Sequence, residues 1–373
     1  MKKSFWLWIT AVLSLALLET QVGYGQYKGL KDYYSDYFSI GVAVSPRALS
    51  TDEATLIKRE FNSMTAENAM KMGPIHPNEN EYFWTHADSI VAFAQRNKLK
   101  MRGHTLCWHN QTPKWIFTDT KGDTVSKDVL LQRLKDHITT VVSHYKGKVY
   151  AWDVVNEAID EDGTIRKTLW QQIIGDDYID KAFEFAYEAD SNAELYYNDY
   201  SLPNAAKREG TVKLIKNLQA KGIKVSAVGE QGHYTLDYPV MDSLEKSIMA
   251  FSSLGVKVMI TELDITVIPF PQPEPGADIS LAFKISNENN PFPTELPDSM
   301  KLVLANRYKD LFNILVKHSD CISRVTLWGV NDAQSWRNYW PIFGRTDYPL
   351  LFDRNNQPKQ AYDSVIKCAE KKN

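Results

Sequence analysis

Short apolar runs alternate along this chain with longer stretches whose apolar positions recur at helical spacing. The short runs are Phe38 to Val44, Phe61 to Met64, Lys100 to Gly103, Val149 to Val155, Glu194 to Tyr197, Val225 to Val228, Val256 to Thr261 and Ser323 to Leu327. They are rich in β-branched and aromatic residues and too short for helices, so they read as buried strands. Helical patterns cover Ala87 to Asn97, Val129 to His144, Ile179 to Ala189, Ala205 to Ala220, Met241 to Leu254 and Leu302 to Lys317. Eight strands alternating with helices predict an α/β fold, a closed (β/α)8 TIM barrel in a single domain.

The functional signal lies in the residues at the exit of each run. Thr65-Ala66-Glu67-Asn68, His104, Asn156-Glu157, Asn198-Asp199-Tyr200, Gln231-Gly232-His233, Glu262-Leu263-Asp264 and Trp328 stand at or shortly past the exits of the second to eighth runs. In a parallel barrel these ends converge on one rim, where the active sites of the fold are found. Turn chemistry alone favours Gly, Asn and Asp there, not Glu, His, Gln and Trp. The proline-rich stretch from Val267 to Asp298 comes after the run that ends in Glu262; connections of that length are functional or loosely ordered, and it is read as a rim loop lining a groove, with disorder as the alternative.

A glutamate alone at a strand exit is most simply a solvated charge. A pair is different. Retaining glycoside cleavage needs two carboxyls roughly 5 to 5.5 Å apart, one to attack the anomeric carbon and one to protonate the departing oxygen. Glu157 and Glu262 can meet only if the fold sets their strands around the same cavity, which a closed barrel does. Close carboxylates do not ionise equally, and the acid is the partner that keeps its proton.

Composition narrows the alternatives. The 373 residues are 43% hydrophobic and 24% charged, with a formal net charge of -3. That suits a globular domain of barrel size and offers no basic patch for nucleic acid. Lys2 and Lys3, the apolar run Phe5 to Leu18, and the small residues Gly23 and Gly25 read as a signal peptide over 1–25. The apolar run is short against the roughly 20 residues of a membrane span. The expectation is therefore a secreted or periplasmic, monomeric barrel over 26–373 with no membrane attachment after cleavage. Three cysteines cannot form a disulfide framework, and no pairing is expected. His104 and His109 lack a third ligand at suitable spacing, and no GxSxG, phosphate loop or HExxH occurs, so neither metal nor cofactor is expected.

Trp152-Asp153-Val154-Val155-Asn156-Glu157 and Thr261-Glu262-Leu263-Asp264 resemble the two signature segments of glycoside hydrolase family 10, the barrel xylanases. The likeness extends to Phe61 through Lys71, Arg102 through His109, Tyr196 through Tyr200, Gln231-Gly232-His233, Thr326 through Trp336 and Pro349 through Asp353. It implies that Glu157 is the general acid/base and Glu262 the nucleophile, with His233 its partner and Asp264 orienting that histidine. It implies that Asn156 donates to the sugar 2-hydroxyl, and that Glu67, Asn68, Lys71, His104, Trp108 and Gln111 hold sugars on the non-reducing side. Asn198, Gln231, Trp328 and Trp336 are expected to line the site, with Tyr200 on the leaving-group side. Lys71 also fits a plain i,i+4 helix pair with Glu67. Trp336 and Gln111 imply crowding of a hexose hydroxymethyl, hence xylose over glucose. The resemblance therefore implies a retaining endo-β-1,4-xylanase acting on xylan and xylo-oligosaccharides. A barrel glycosidase of cellulose or mixed β-glucan is the enzymatic alternative, and a non-catalytic carbohydrate-binding barrel the other. Met72 and Cys107 depart from the family pattern without touching the carboxylates.

Overall fold

A computed structural model of the chain describes residues 28–269 and 282–370. The leader read over 1–25, and Pro271, Pro273 and Pro275 of the long loop, lie outside the described residues.

Nine strands are described: β1 (Ser39–Val44), β2 (Ser63–Ala66), β3 (Lys100–Cys107), β4 (Ala151–Asn156), β5 (Glu194–Asp199), β6 (Ala227–Glu230), β7 (His233–Thr235), β8 (Lys257–Thr266) and β9 (Ile322–Leu327). All pairings are parallel. β1 through β6 run in order, β6 pairs with β8, β8 with β9, and β9 returns to β1, closing an eight-stranded ring. β7 lies outside the ring and extends the far end of β8, with His233 opposite Asp264. The fold is thus the (β/α)8 barrel that the alternation predicts.

The helices are α1 (Leu30–Tyr33), α2 (Glu53–Glu60), α3 (Met72–Ile75), α4 (Thr85–Arg96), α5 (Lys127–His144), α6 (Leu169–Ile174), α7 (Tyr178–Ala189), α8 (Ala205–Ala220), α9 (Met241–Ser252), α10 (Asp298–Lys317) and α11 (Gln360–Glu370). α5 begins two residues before its apolar pattern because Ser126 caps it, accepting from Val129 N. The main apolar core lies between ring and helices. α1 and α11 clasp each other: Tyr34 Oη donates to Val365 O at 2.6 Å, and Glu60 Oε2 accepts from both Leu30 N and Tyr362 Oη.

The lumen is divided. Ala151, Tyr196, Ala227 and Met259 form an apolar cluster of their own. Elsewhere it is polar and tightly filled. A Cβ on Gly41 would fall 2.6 Å from Ser63 Oγ, and one on Gly229 2.4 Å from Asn198 Oδ1. Bulges break the ladder where function is expected: between His104 and Cys107, between Asp153 and Val155, and between Ile260 and Leu263. A bulge adds a residue and re-aims the side chains beyond it. Those beyond these include Asn156, Glu157 and Asp264.

The described part of the long loop after β8 is stitched to the segment after β9. Phe283 N donates to Pro341 O at 2.9 Å, Thr346 N to Asn290 Oδ1 at 2.9 Å, and Tyr348 Oη to Phe292 O at 2.8 Å. Leu296 is buried beneath it.

Candidate active site

β4 hands the chain over abruptly. Asn156 is its last residue, and Glu157 comes next with φ +58°, in the left-handed region that non-glycine residues rarely enter. Its amide donates to Asn198 O at 2.9 Å, so β5 holds the turn. Glu262 lies within β8, with its amide donating to Gln231 O at 2.6 Å. Both glutamates are buried, 7% and 4% exposed.

One amide network joins them. Asn198 Nδ2 donates to Glu262 Oε1 at 2.8 Å and to Asn156 Oδ1 at 2.7 Å. Asn156 Nδ2 in turn lies 3.1 Å from Glu157 Oε1, which also accepts from Gln231 Nε2 at 2.9 Å. Trp108 Nε1 donates to the other oxygen, Oε2, at 2.8 Å. Asn198 is itself fixed by Thr261, whose hydroxyl donates to Asn198 Oδ1 at 2.6 Å. Carboxylates carried by distant strands are therefore joined through two side-chain amides.

The surroundings of Glu262 are cationic. His233 Nε2 stands 3.4 Å from Glu262 Oε2, with Nδ1 3.0 Å from Asp264 Oδ1. His104 Nδ1 approaches Glu262 Oε1 to 3.9 Å, though its closer partner is Asp153 Oδ2 at 2.8 Å. Burial by itself would raise the Glu262 carboxyl. His104, the His233 contact and Arg102 outweigh it and hold the group down at about 2. Burial would also lower His233, but Asp264 above all, then Glu262, push it up to about 9. Asp264 is held below the usual carboxylate range against its own burial, by Arg337 Nε at 2.7 Å, His233 and Trp336 Nε1 at 2.6 Å. Glu262 is thus a charged carboxylate throughout the neutral range.

Apart from Gln111, the other expected residues lie near this pair or its partners. Lys71 Nζ donates to Asn68 Oδ1 at 2.9 Å and sits 5.1 Å from the Trp108 ring centroid. Burial lowers its ammonium while Glu262, Glu67 and Glu157 oppose the shift. The helix-pair alternative for Glu67 and Lys71 does not hold: the backbone between them is not helical, and Lys71 is the residue before α3. Burial raises the Glu67 carboxyl, with Lys71 acting against it. Gln111 is exposed, and its carbonyl accepts from Gly73 N at 2.7 Å. Trp328 meets the His104 ring edge-on at 5.3 Å. Trp336 lies 4.8 Å from the His233 ring and stacks on Trp340 at 5.0 Å. Tyr200 is partly buried, 3.3 Å beneath the Lys207 ammonium.

Sequence reasoning missed the supports beneath these groups. Asp153 Oδ2 takes Arg102 Nη1 at 2.5 Å as well as His104, and Arg102 Nη2 reaches Thr261 O at 2.9 Å. Both side chains are fully buried. The available signal was a charge inside an apolar strand, since Arg102 and Asp153 both sit within predicted runs. Arg337 and Arg166 carried no such mark, because they lie outside the predicted runs, one in a single 3-10 turn over Trp336–Asn338 and the other in the loop after β4. Among the described residues no cluster of three or more His, Cys, Asp or Glu side chains could hold a metal ion. The three cysteines are free thiols.

Comparison with known proteins places this geometry. The profile described as glycosyl hydrolase family 10 matches residues 29–368. The chain is 45% identical to endo-1,4-beta-xylanase A of Xylanibacter ruminicola over 344 residues, 91% of this chain and 93% of that one. It is 44% identical to the beta-1,4-xylanase of Dictyoglomus thermophilum, covering 96% of each. Among solved structures, an endoxylanase of the same family retrieved from a sugarcane soil metagenome superposes with a TM-score of 0.88. That structure is 45% identical and covers 91% of this chain and 99% of its own.

Proposed function

This chain belongs to glycosyl hydrolase family 10 and is a glycoside hydrolase, and from that premise we propose that it is a retaining endo-1,4-β-xylanase. Its substrates on this reading are xylan and xylo-oligosaccharides, cleaved at internal bonds by double displacement. The xylanases that match it over nine-tenths or more of its length support the activity. The observation that carries the mechanism is the Asn198–Asn156 bridge, which links Glu157 to Glu262 through two amides.

In the first step Glu262 attacks the anomeric carbon while Glu157 protonates the departing sugar oxygen, leaving a glycosyl ester on Glu262. The cationic setting of Glu262 keeps the nucleophile ionised without a partner having to move. His104, His233 and Arg102 supply that charge, and Asp264 aims the His233 ring. Glu157 then carries a negative charge, and the N–H groups of Trp108, Gln231 and Asn156 are already placed to receive it. In the second step the same carboxylate takes a proton from water, which attacks from the face the leaving group vacated, and configuration is retained. Asn156 Nδ2 is shared with Glu157 in the free site, and its transfer to a sugar 2-hydroxyl would strengthen as oxocarbenium character develops.

Lys71, Glu67, Asn68, His104 and Trp108 are assigned to the sugars on the non-reducing side, and Tyr200 to the leaving group. Trp328 and Trp336 offer flat rings to the pyranose. Monomeric export through the 1–25 leader completes the proposal. The test is a product and rate analysis. Initial rates on xylan should exceed those on carboxymethylcellulose, and NMR of xylo-oligosaccharide hydrolysis should show the β-anomer first. A preference for the glucan would replace the xylanase reading, and α-anomer would replace the double displacement.

A further inference from the structure

Arg166 occupies the loop after β4, and its guanidinium reaches toward the residue that the mechanism makes the acid. Nε donates to Glu157 O at 3.0 Å. Nη2 donates to Ile159 O at 3.2 Å and to Tyr200 Oη at 3.0 Å. Nη1 pairs with Asp160 Oδ1 at 3.2 Å, and the side chain is only 14% exposed. Its own amide donates to Ala158 O at 2.7 Å, so the loop folds back on the strand end it serves.

Glu157 needs such a hold. Its backbone lies in the left-handed region, a conformation that persists only where the surroundings over-determine it. Its N–H is tied to Asn198 O, and the next two amides, of Ala158 and Ile159, both donate to Tyr197 Oη. Those contacts fix the peptides on either side. The carbonyl of Glu157 itself is held by Arg166. A planar guanidinium presents several N–H groups in a rigid fork and can bind two carbonyls and a phenol together, which a lysine cannot.

We propose that Arg166 is a positioning residue for proton transfer: it fixes the peptide that aims the Glu157 carboxyl and links that peptide to Tyr200 in the leaving-group site. The inference rests on Glu157 being the acid/base. Arg166 does not move the proton. It sets where the carboxyl stands when the leaving oxygen needs one, and a sugar seated on Tyr200 tightens the same fork. An acid misplaced by about 1 Å loses on the order of 100-fold in rate.

The experiment is a leaving-group series. Arg166→Gln, Arg166→Lys and Glu157→Ala are made in the full chain, and kcat/KM is measured on aryl β-xylobiosides from dinitrophenyl to phenyl. Dinitrophenolate departs unaided, whereas phenolate needs a proton. Arg166→Gln should leave the dinitrophenyl substrate within about threefold of wild type and slow the phenyl substrate about 10- to 100-fold. Arg166→Lys, which keeps the charge but puts all its donors on one nitrogen, should fall between wild type and the glutamine variant and serves if the latter does not fold. Equal losses across the series would mean a sugar-binding or purely structural role and would overturn the proposal. Glu157→Ala separates the two readings. If it shows the steep leaving-group dependence and neither Arg166 variant does, the positioning role fails alone. If Glu157→Ala shows none, the acid assignment fails and takes the proposal with it.

Discussion

Together with His104 and Arg102, His233 at 3.4 Å holds Glu262 in its charged form, and it does so as a cation whose own charge is maintained by Asp264 on the opposite ring nitrogen. The arrangement divides labour between two acidic groups. Asp264 is held by Arg337 and Trp336 as well as by His233, while Glu262 accepts from Asn198 on its other oxygen.

These shifts set the pH dependence of stability. His233 is raised from 6.5 to about 9, so its contribution is complete below pH 6.5 and is lost as pH rises through about 9. Glu262 is lowered from 4.5 to about 2, so its contribution is complete above pH 4.5 and is lost as pH falls through about 2. Thermal melts should therefore show wild-type Tm declining between pH 6.5 and 9. His233→Asn should flatten that decline, and a variant that kept the same alkaline slope would remove His233 as its source.

Replacing the carboxylates should separate the two steps. Glu262→Ala should bind xylo-oligosaccharides, by calorimetry, yet release no reducing sugar. Glu157→Ala should lose about 10²- to 10⁴-fold on xylan. Its loss in kcat/KM on dinitrophenyl xylobioside should be far smaller, and added azide should accelerate turnover by attacking the glycosyl-enzyme in place of base-assisted water. Persistent hydrolysis by Glu262→Ala would take that residue out of the mechanism.

Asn198 has no exposed surface and joins three other side chains. Truncating it to alanine leaves Glu262 Oε1, Asn156 Oδ1 and the Thr261 hydroxyl short of a partner. The cost should be about 1–3 kcal/mol of stability, read by denaturant unfolding, together with a fall in kcat exceeding any rise in KM. Wild-type kcat in this variant would show that the bridge is dispensable to the site.

Gly103, next to His104, tests the strand beneath the site. A Cβ there would lie 2.1 Å from a ring carbon of Trp152, which is buried and cannot retreat. Gly103→Ala should therefore destabilise by about 1–3 kcal/mol through overpacking and displace His104. An unchanged Tm would mean that Trp152 has room to move.

The strands were legible because each is an apolar run of strand length, and the rim was legible because polar or aromatic residues stand at the exits of seven of the eight. Boundaries shifted where local chemistry outranks pattern. β8 runs on to Thr266 because its far end pairs with β7, and nothing in the three residues of β7 announces a strand. α1, α2, α3, α6 and α11 were missed. The first four are only 4, 8, 4 and 6 residues long, too short for periodicity to stand out. The carboxylates and their immediate partners could be read from motif and position together. Arg166 and Arg337 could not, because a loop arginine looks like any surface arginine until the fold closes over it.

The pairing of β1 with β9 also bears on how the chain comes into being. Ser39 finds its neighbour Arg324 only after nearly the whole polypeptide has emerged, and α1 waits longer still for α11. Until then the first strand presents a bare edge to whatever lies near it. Contacts of such sequence separation slow folding and leave early segments vulnerable to aggregation. A ribosome-bound fragment ending before residue 322 would hold both carboxylates and the histidine beside Glu262, and still lack the last stave of the cask.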